Sequence, residues 1–192
     1  MARPQEFNTA EALHKAMEVF WHKGYEATSL SDLLEATGLS KSSLYSTFGG
    51  KHALFLAAFD AYRRQRATDM QRVLAQEPAR PAIEAFFHLL LGDVDAPAPA
   101  LGCMSINQAI EMAPHDPEIR ERVLTDFRRI EEALLRIIQR GQHKGSLTST
   151  RSPRELANLL ALAYPGLQVM ARAGYTRSDL DDRVRQLLTN LD

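Results

Sequence analysis

The chain has a single cysteine, Cys103, among its 192 residues, and it lacks other features that define whole classes of protein. One thiol cannot form an internal disulfide, which fits a reducing compartment. No apolar run is long enough to cross a bilayer, and the first residues lack the apolar segment of a secretory signal. These absences lead us to expect a cytoplasmic protein that does not associate with a membrane.

Catalytic signatures are missing as well. We find no nucleophile elbow, no phosphate-binding loop and no dinucleotide fingerprint. His115 and Asp116 could indicate a metal-dependent hydrolase, but such a site needs further ligands on neighbouring helices. Asp116 followed by Pro117 is better explained as a helix start. We therefore expect no metal, no cofactor and no enzymatic activity, with a small all-helical metal-dependent enzyme using His115 and Asp116 as the alternative.

The excess of positive charge that is common in DNA-binding domains is also missing. The formal net charge is -1, and the first 52 residues hold slightly more acids than bases. Between Ser40 and Arg66, however, bases dominate, because Asp60 is the single acid there. We expect any DNA contact to use this local charge, which comes from Lys41, Lys51, Arg63, Arg64 and Arg66.

The stretch from Thr28 to Lys51 predicts two short helices separated by a tight turn. Ser29 and Asp32 fit a capping box that starts the first helix. Gly38 can adopt the positive φ that ends it, and Ser40 is placed to cap the second helix. The inward positions are apolar at helical spacing: Leu30, Leu33, Leu34, Leu44 and Phe48. This arrangement predicts a helix-turn-helix.

The outward face of the second helix is small, hydrogen-bonding and free of acids, which suits a helix that enters a groove of DNA. It consists of Ser40, Lys41, Ser42, Ser43, Tyr45, Ser46 and Thr47. The alternative is an ordinary solvated helix face. We favour DNA binding, because exposing Tyr45 without a use would be costly.

These residues resemble the DNA-binding signature of the tetracycline-repressor family of bacterial regulators. The resemblance lies in Phe20–Ser29, Thr37–Lys41 and Leu44–Lys51, and it covers about the first third of the chain. It implies that Tyr45 and Lys51 contact phosphates and that Lys41, Ser42 and Ser43 read base edges.

Two further contacts remain open at this stage. Thr28 either contacts a phosphate or caps a helix. Arg3 and Pro4 form either an arm into the minor groove or a disordered terminus.

The rest of the chain predicts helix after helix and no strand. Closely spaced prolines between residues 95 and 99 predict a loop. Start signals occur at Asp116–Pro117, at Ser152–Glu155, which combines a capping box with a proline at the first helical position, and at Thr176–Asp179. Pro165 and Gly166 interrupt the eighth helix, either as a tolerated kink or as a bend that shapes a cavity.

The expected fold is therefore all-α, with about nine helices. The resemblance implies an N-terminal three-helix helix-turn-helix DNA-binding domain, residues 1–50. A long helix joins it to a C-terminal helical domain that binds an effector and dimerises, residues 51–192.

Helices five to eight carry aromatic and methionine side chains, which suit an apolar and adaptable pocket. The resemblance implies that these helices surround a ligand cavity, although each residue could equally fill the core. The candidates are Phe86, Phe87, Cys103, Met104, Asn107, Met112, Phe127, Tyr164 and Met170. Asn107 and Tyr164 would be polar anchors, and Cys103 is either a reactive thiol near the entrance or a small buried hydrophobe. Because no Arg or Lys is among them, we expect a small hydrophobic or electrophilic effector and not a polyanion.

The last two helices have apolar faces that predict a four-helix bundle with a second copy of the chain. The interface candidates are Leu156, Leu160, Leu167, Leu180, Val184, Leu187 and Leu188. The complete hypothesis is a homodimeric repressor on a near-palindromic double-stranded operator, released when a small-molecule effector favours a different spacing of the recognition helices. An interaction module that has lost DNA recognition is a further alternative.

Overall fold

The computed structural model describes residues 8–92, 94 and 101–192, and within them it contains helices and no strand. The all-α prediction is confirmed. The α-helices are α1 (Thr9–Lys23), α2 (Leu30–Thr37), α3 (Lys41–Phe48), α4 (Lys51–Leu74), α5 (Ala79–Leu91), α6 (Met104–Glu111), α7 (Pro117–His143), α8 (Pro153–Arg172) and α9 (Arg177–Leu188), followed by a short 3-10 helix, Thr189–Leu191. The predicted arm at Arg3–Pro4 and the predicted proline loop lie outside the described residues.

Helices α1 to α3 form the N-terminal three-helix unit, which we call the reading head. Local capping sets the ends of its helices as predicted. The Ser29 hydroxyl accepts a hydrogen bond from the Asp32 N–H, while the Asp32 carboxylate accepts one from the Ser29 N–H at 2.8 Å. Gly38 ends α2 with φ of 71°, in the left-handed region that favours glycine. Ser40 then caps α3 by accepting a hydrogen bond from the Ser43 N–H at 3.1 Å. The helix-turn-helix thus has both of its predicted caps.

Helices α4 to α9 form the body, and its start signals are mostly confirmed. Asp116 caps α7 by accepting from the Glu118 and Ile119 N–H groups, and Thr176 with Asp179 forms a capping box for α9. Ser152 precedes α8, but its hydroxyl makes no capping hydrogen bond, so the capping box predicted there is wrong. Proline at the first helical position is sufficient, because its missing N–H would have had no helical partner.

An aromatic cluster joins the reading head to α4. The Phe55 ring lies 5.0 Å from the Phe20 ring and 4.9 Å from the Tyr25 ring, measured between centroids. Phe20 and Phe55 are fully buried, and α4 continues without a break from this cluster into the body. Apolar packing is therefore continuous across residue 50. The domain boundary that the sequence predicts at this residue stays a prediction.

In the body, α7 packs along α8, and α5 lies against α4, α7, α8 and α9. None of the helices in the described part of the chain is long and apolar enough to cross a membrane.

Candidate functional site

Helix α3 presents three polar side chains that have no partner in the described part of the chain. Lys41, Tyr45 and Thr47 are exposed, and none of them makes a hydrogen bond or ion pair with another described residue. Tyr45 is 49% exposed, which is unusual for so large a ring. These three groups are available to a ligand on the solvent side of the helix.

The serines of the same helix are already paired with one another. The Ser40 hydroxyl lies 2.9 Å from the hydroxyls of both Ser42 and Ser43, and the Ser46 hydroxyl donates to the Ser43 carbonyl at 3.1 Å. Ser43 is half-buried, whereas Ser42 and Ser46 are exposed. A partner would therefore have to compete with local hydrogen bonds for these hydroxyls.

The side chains of Lys51 and Thr28 differ in how accessible they are to DNA. Lys51 begins α4 with its Nζ 4.4 Å from the centroid of the Tyr25 ring, so an aromatic face positions the charge. Thr28 is only 1% exposed, and its hydroxyl donates to the Gly24 carbonyl. Ser29, not Thr28, caps α2. The two roles predicted for the Thr28 side chain are therefore not supported.

A cavity of about 210 Å³ lies between the reading head and the body. Trp21 of α1 forms part of its wall, together with residues of α4, α5, α6, α7 and α8 and the segment before α6. Its apolar lining includes Met70, Leu89, Leu90, Leu91, Leu101, Phe127 and Ile130, and its polar lining includes Arg63, Arg66, Ser105, Asp126 and Arg129.

Three of the predicted lining residues, Cys103, Phe127 and Tyr164, lie in this wall. The other six are absent from it: Phe86, Phe87, Met104, Asn107, Met112 and Met170. All but Asn107 and Met170 are buried, so they fill the core, which was the alternative stated for each residue.

Asn107 has a structural role. Its side-chain amide donates to the Leu101 carbonyl at 3.0 Å, and its Oδ1 accepts from Arg172 at 2.6 Å. The amide therefore links the segment before α6 to Arg172 of α8, and the structure gives no support to the prediction that Asn107 anchors a ligand.

Cys103 is buried and lies beside two tyrosines. The Tyr62 hydroxyl accepts a hydrogen bond from the Met104 N–H at 3.1 Å and donates to the Cys103 Sγ at 3.5 Å. Burial first, and then the neighbouring Cys103, raises the pKa of Tyr62 and the pKa of Tyr164 well above their ordinary value. Both phenols therefore stay neutral and act as hydrogen-bonding groups at physiological pH.

The predicted lining residues included no Arg or Lys, but the cavity wall does contain basic residues. Arg63, Arg66 and Arg129 are all in the wall, together with Asp126. Arg63 and Arg66 were not among the candidates, because the sequence analysis assigned the bases between Ser40 and Arg66 to DNA. Arg63 is only 10% exposed at its side chain and is hydrogen-bonded to Asp126 and Asp60, so it is not offered to DNA.

Comparison with known families identifies the chain. Residues 12–58 match the family model for bacterial regulatory proteins of the tetR family, and residues 79–188 match the tetracyclin repressor-like C-terminal domain. The chain belongs to the TetR family. It is a helix-turn-helix DNA-binding transcriptional regulator.

Relatives of this TetR-family chain match it over most of their length. It is 36% identical over 194 residues to the uncharacterized HTH-type transcriptional regulator YezE of Bacillus subtilis (strain 168), with 100% of both chains covered. It is 30% identical over 174 residues to the transcriptional repressor ComR of Escherichia coli (strain K12), covering 90% of this chain and 83% of ComR.

A solved structure is similar over the whole chain. It is a cysteine mutant of the TetR family regulator CifR in complex with a 26-bp double-strand operator DNA. The TM-score is 0.84 at 28% identity, with 100% of each chain covered.

Two hydrogen bonds join the reading head of this TetR-family protein to its body. Trp21 donates from its Nε1 to the Gly102 carbonyl at 3.1 Å, and the Glu26 N–H donates to the Glu111 carboxylate at 2.9 Å. Glu111 lies against Gly24, where an added Cβ would come within 2.8 Å of its Oε1. The first of these bonds places the head in direct contact with the mouth of the cavity.

In this TetR-family protein, a contact between His52 and Asp116 also joins α4 to the start of α7. The His52 Nε2 and the Asp116 Oδ2 lie 2.6 Å apart. Burial acts against ionisation of Asp116, but the His52 hydrogen bond and the two backbone donors outweigh it and hold the pKa of Asp116 below its ordinary value. The cap of α7 is therefore an ionised carboxylate.

The residues predicted for a dimer interface are mostly turned into the protein's own core. Relative exposure is between 0% and 5% for Leu156, Leu160, Leu167, Leu180, Val184 and Leu188. Those six are not available to a partner, and only Leu187 is half-buried. The apolar residues that α8 exposes are Leu162 (77%) and Val169 (50%), with Gly166 between them on the same face.

The metal-dependent enzyme alternative finds no support. Among the described residues, no group of three or more His, Cys, Asp or Glu side chains could hold a metal. His115 is exposed, and Asp116 is occupied by the α7 cap and His52.

Proposed function

We propose that this TetR-family protein is an effector-controlled transcriptional repressor that acts in the cytoplasm as a homodimer on a near-palindromic operator. The observation that carries the proposal is the α3 surface, where Lys41, Tyr45 and Thr47 hold polar groups without partners among the described residues. Two similar proteins support it, because ComR is a transcriptional repressor and the CifR structure is a complex with operator DNA.

Helix α3 enters the major groove, and its side chains divide into two kinds of contact. Tyr45 and Lys51 contact phosphates, which position the protein without reading sequence. Lys41, Ser42, Ser43 and Thr47 face the base edges. Two copies of α3 would lie one helical turn of DNA apart, ~34–36 Å.

The effector binds in the cavity between head and body. Trp21 belongs to α1 and also to the cavity wall, so a molecule that occupies the cavity acts directly on the position of the reading head. Filling the cavity favours a head orientation in which the two recognition helices no longer match the operator. The mainly apolar lining suits a small hydrophobic compound.

An electrophilic effector would have to enter the cavity before it could react. Cys103 is 9% exposed and lies in the cavity wall beside Tyr62 and Tyr164. A thiol adduct of the whole chain, seen by intact-mass spectrometry and absent from Cys103→Ser, would assign this role to Cys103. A protein that releases DNA equally well as Cys103→Ser would leave Cys103 as a core residue.

The dimer forms through the exposed face of α8. Leu162 and Val169 would meet their counterparts across a two-fold axis, with Gly166 allowing close approach of the two helices. The half-buried Leu187 of α9 borders this face in our proposal.

The DNA-binding assignment is tested with an operator selected from random DNA, using fluorescence anisotropy. Tyr45→Phe and Lys51→Ala should weaken binding to all sequences alike. Lys51→Ala, which removes a positive charge, should also lower the salt slope by about 1, whereas Tyr45→Phe, which removes a neutral hydroxyl, should leave the slope unchanged. Lys41→Ala should also change sequence preference, at ~1–3 kcal/mol per base contact. Lys144→Ala, a matched loss of an exposed lysine in the body, is the control and should bind normally.

Full-strength operator binding by the Tyr45→Phe/Lys51→Ala double variant would contradict the assignment. A wild-type protein that selects no DNA sequence would instead favour an interaction module.

A further inference from the structure

Arg66 lies in the cavity wall without an acidic partner among the described residues. Its guanidinium carbon is 5.5 Å from the Tyr62 ring centroid and 6.0 Å from the Trp21 ring centroid, so two aromatic faces hold it in place. The side chain is half-buried, and no described residue accepts a hydrogen bond from it. A guanidinium remains charged at any physiological pH and offers a planar fork of donors.

The other two arginines of the cavity wall differ from Arg66 in their hydrogen bonds and ion pairs. Arg63 donates to Asp126 at 2.8 and 2.9 Å, to Asp60 at 2.7 Å and to the Arg122 carbonyl at 3.0 Å. Arg129 is 3.8 Å from Asp126 and is half exposed to solvent. The two therefore have an acidic partner, and Arg66 does not.

The side chains described in the cavity wall therefore carry a net positive charge. Its acidic side chain, Asp126, is neutralised by Arg63 and also accepts from the Ser105 hydroxyl at 2.8 Å. Arg66 and Arg129 remain, and of these Arg66 is the more enclosed. An anion at Arg66 would restore balance, because a desolvated charge is stable only when it is paired.

The size and the remaining lining limit that anion. The cavity measures about 210 Å³, compared with the ~150 Å³ of an engineered apolar cavity that binds benzene. One ring or a short alkyl chain with one small charged group therefore fits. The apolar wall includes the Leu89–Leu91 segment and Leu101, which would not stabilise a second charge.

We propose that the effector is an amphipathic monocarboxylate, whose carboxylate forms a two-pronged ion pair with Arg66 while its hydrophobic body contacts the leucine wall. Arginine suits this role, since its fork matches the two oxygens of a carboxylate. The inference rests on the proposed function of the cavity and names the chemical class that the cavity binds.

The test compares a carboxylate with its uncharged isostere, para-propylbenzoate with para-propylbenzamide, by calorimetric titration of the full-length protein. The wild type should bind the carboxylate about tenfold or more tightly than the amide, as expected for a charged hydrogen bond. Arg66→Met should bind both with similar affinity, and Arg66→Lys should keep a reduced preference.

The matched control is Arg64→Met, which removes the same charge two residues away on an exposed position outside this cavity wall. It should retain the full preference for the carboxylate. Thermal melting of each ligand-free variant confirms folding, and Arg66→Gln gives a second neutral variant should Arg66→Met fail to fold.

Two results of the titrations would overturn the proposal, and a third would come from operator release. One is a carboxylate preference that persists in a folded Arg66→Met or Arg66→Gln protein. The other is no binding by the wild type of any para-alkylbenzoate or any straight-chain acid from hexanoate to decanoate. If neutral amides bind and release operator as well as the benzoates do, the effector cavity stands while the carboxylate assignment fails. Operator binding without ligand is measured in parallel, and its failure would bear on the proposed function alone.

Discussion

Replacing the two exposed apolar residues of α8 by glutamate should give a folded monomer. Burying a whole leucine or valine side chain contributes roughly 1.5–3 kcal/mol. With Leu162 77% and Val169 50% exposed, each protomer would gain on the order of 2–4 kcal/mol from them in a dimer, and a two-fold interface doubles that gain. Even the lower bound corresponds to about a thousandfold in the dissociation constant, before the cost of placing two carboxylates from each protomer at the interface.

Sedimentation velocity at micromolar concentration measures this change directly. The wild type should sediment as a dimer, Leu162→Glu/Val169→Glu should sediment as a monomer, and the monomer should bind operator weakly because it has only one recognition helix. Leu124→Glu is the control, since Leu124 is also exposed (41%) but lies on α7. Circular dichroism should show unchanged helix content in both variants.

Val184→Glu gives the contrasting case. Val184 is fully buried within the protomer, so an unpaired carboxylate there should unfold the chain without first giving a native monomer. The reasoning is refuted if the wild type is a monomer at micromolar concentration, or if Leu162→Glu/Val169→Glu remains a dimer.

Two further predictions concern stability. Asp32 has its pKa lowered from 3.8 to about 2, first by the Lys23 hydrogen bond and then by Ser29, so its stabilising effect is present above its unfolded-state pKa and is lost as pH falls towards 2. Thermal melts of wild type and Asp32→Asn should therefore differ at neutral pH and converge near pH 2, whereas a constant difference would argue against the assignment. At Gly141 an added Cβ would lie 2.7 Å from the Ala79 Cβ and 2.7 Å from Leu147 atoms, so Gly141→Ala should destabilise by ~1–3 kcal/mol, more than its gain in helix propensity of ~1 kcal/mol. Chemical denaturation against exposed Gln139→Ala would measure it, and a stabilised Gly141→Ala would contradict the packing argument.

The reading head could be predicted from sequence because its signals are local. Ser29, Asp32, Gly38 and Ser40 act within four residues of the groups that they cap, and the structure confirms each of them. Thr28 was the exception, since adjacent Thr28 and Ser29 have similar capping chemistry and only the fold shows which hydroxyl is buried.

The cavity could be predicted only in part. Helical periodicity shows that Phe86, Met104 and Met112 point into the protein, but it does not show whether they pack against other side chains or line a cavity. Arg66 was missed for a related reason, because its charge was read as part of a DNA-facing stretch. Its contact with Trp21 joins residues far apart in sequence, and no local signal reports it.

The dimer residues show a second limit of periodicity. Helix α8 is apolar on two faces, and the sequence does not say which one meets the protein's own core. The sequence analysis assigned the face with Leu156 and Leu160 to the partner. The structure places that face inside and leaves Leu162 and Val169 outside.

The position of Trp21 has a thermodynamic consequence. One side chain of the reading head helps to enclose the cavity and is hydrogen-bonded to Gly102. Under the proposed function, occupancy of the cavity and occupancy of the operator therefore depend on a shared arrangement. Linkage requires the effect to be mutual. If the small molecule lowers the affinity for DNA by a given factor, DNA lowers the affinity for the small molecule by the same factor. Operator-bound protein is then the least sensitive population in the cell, and free protein takes up the compound first.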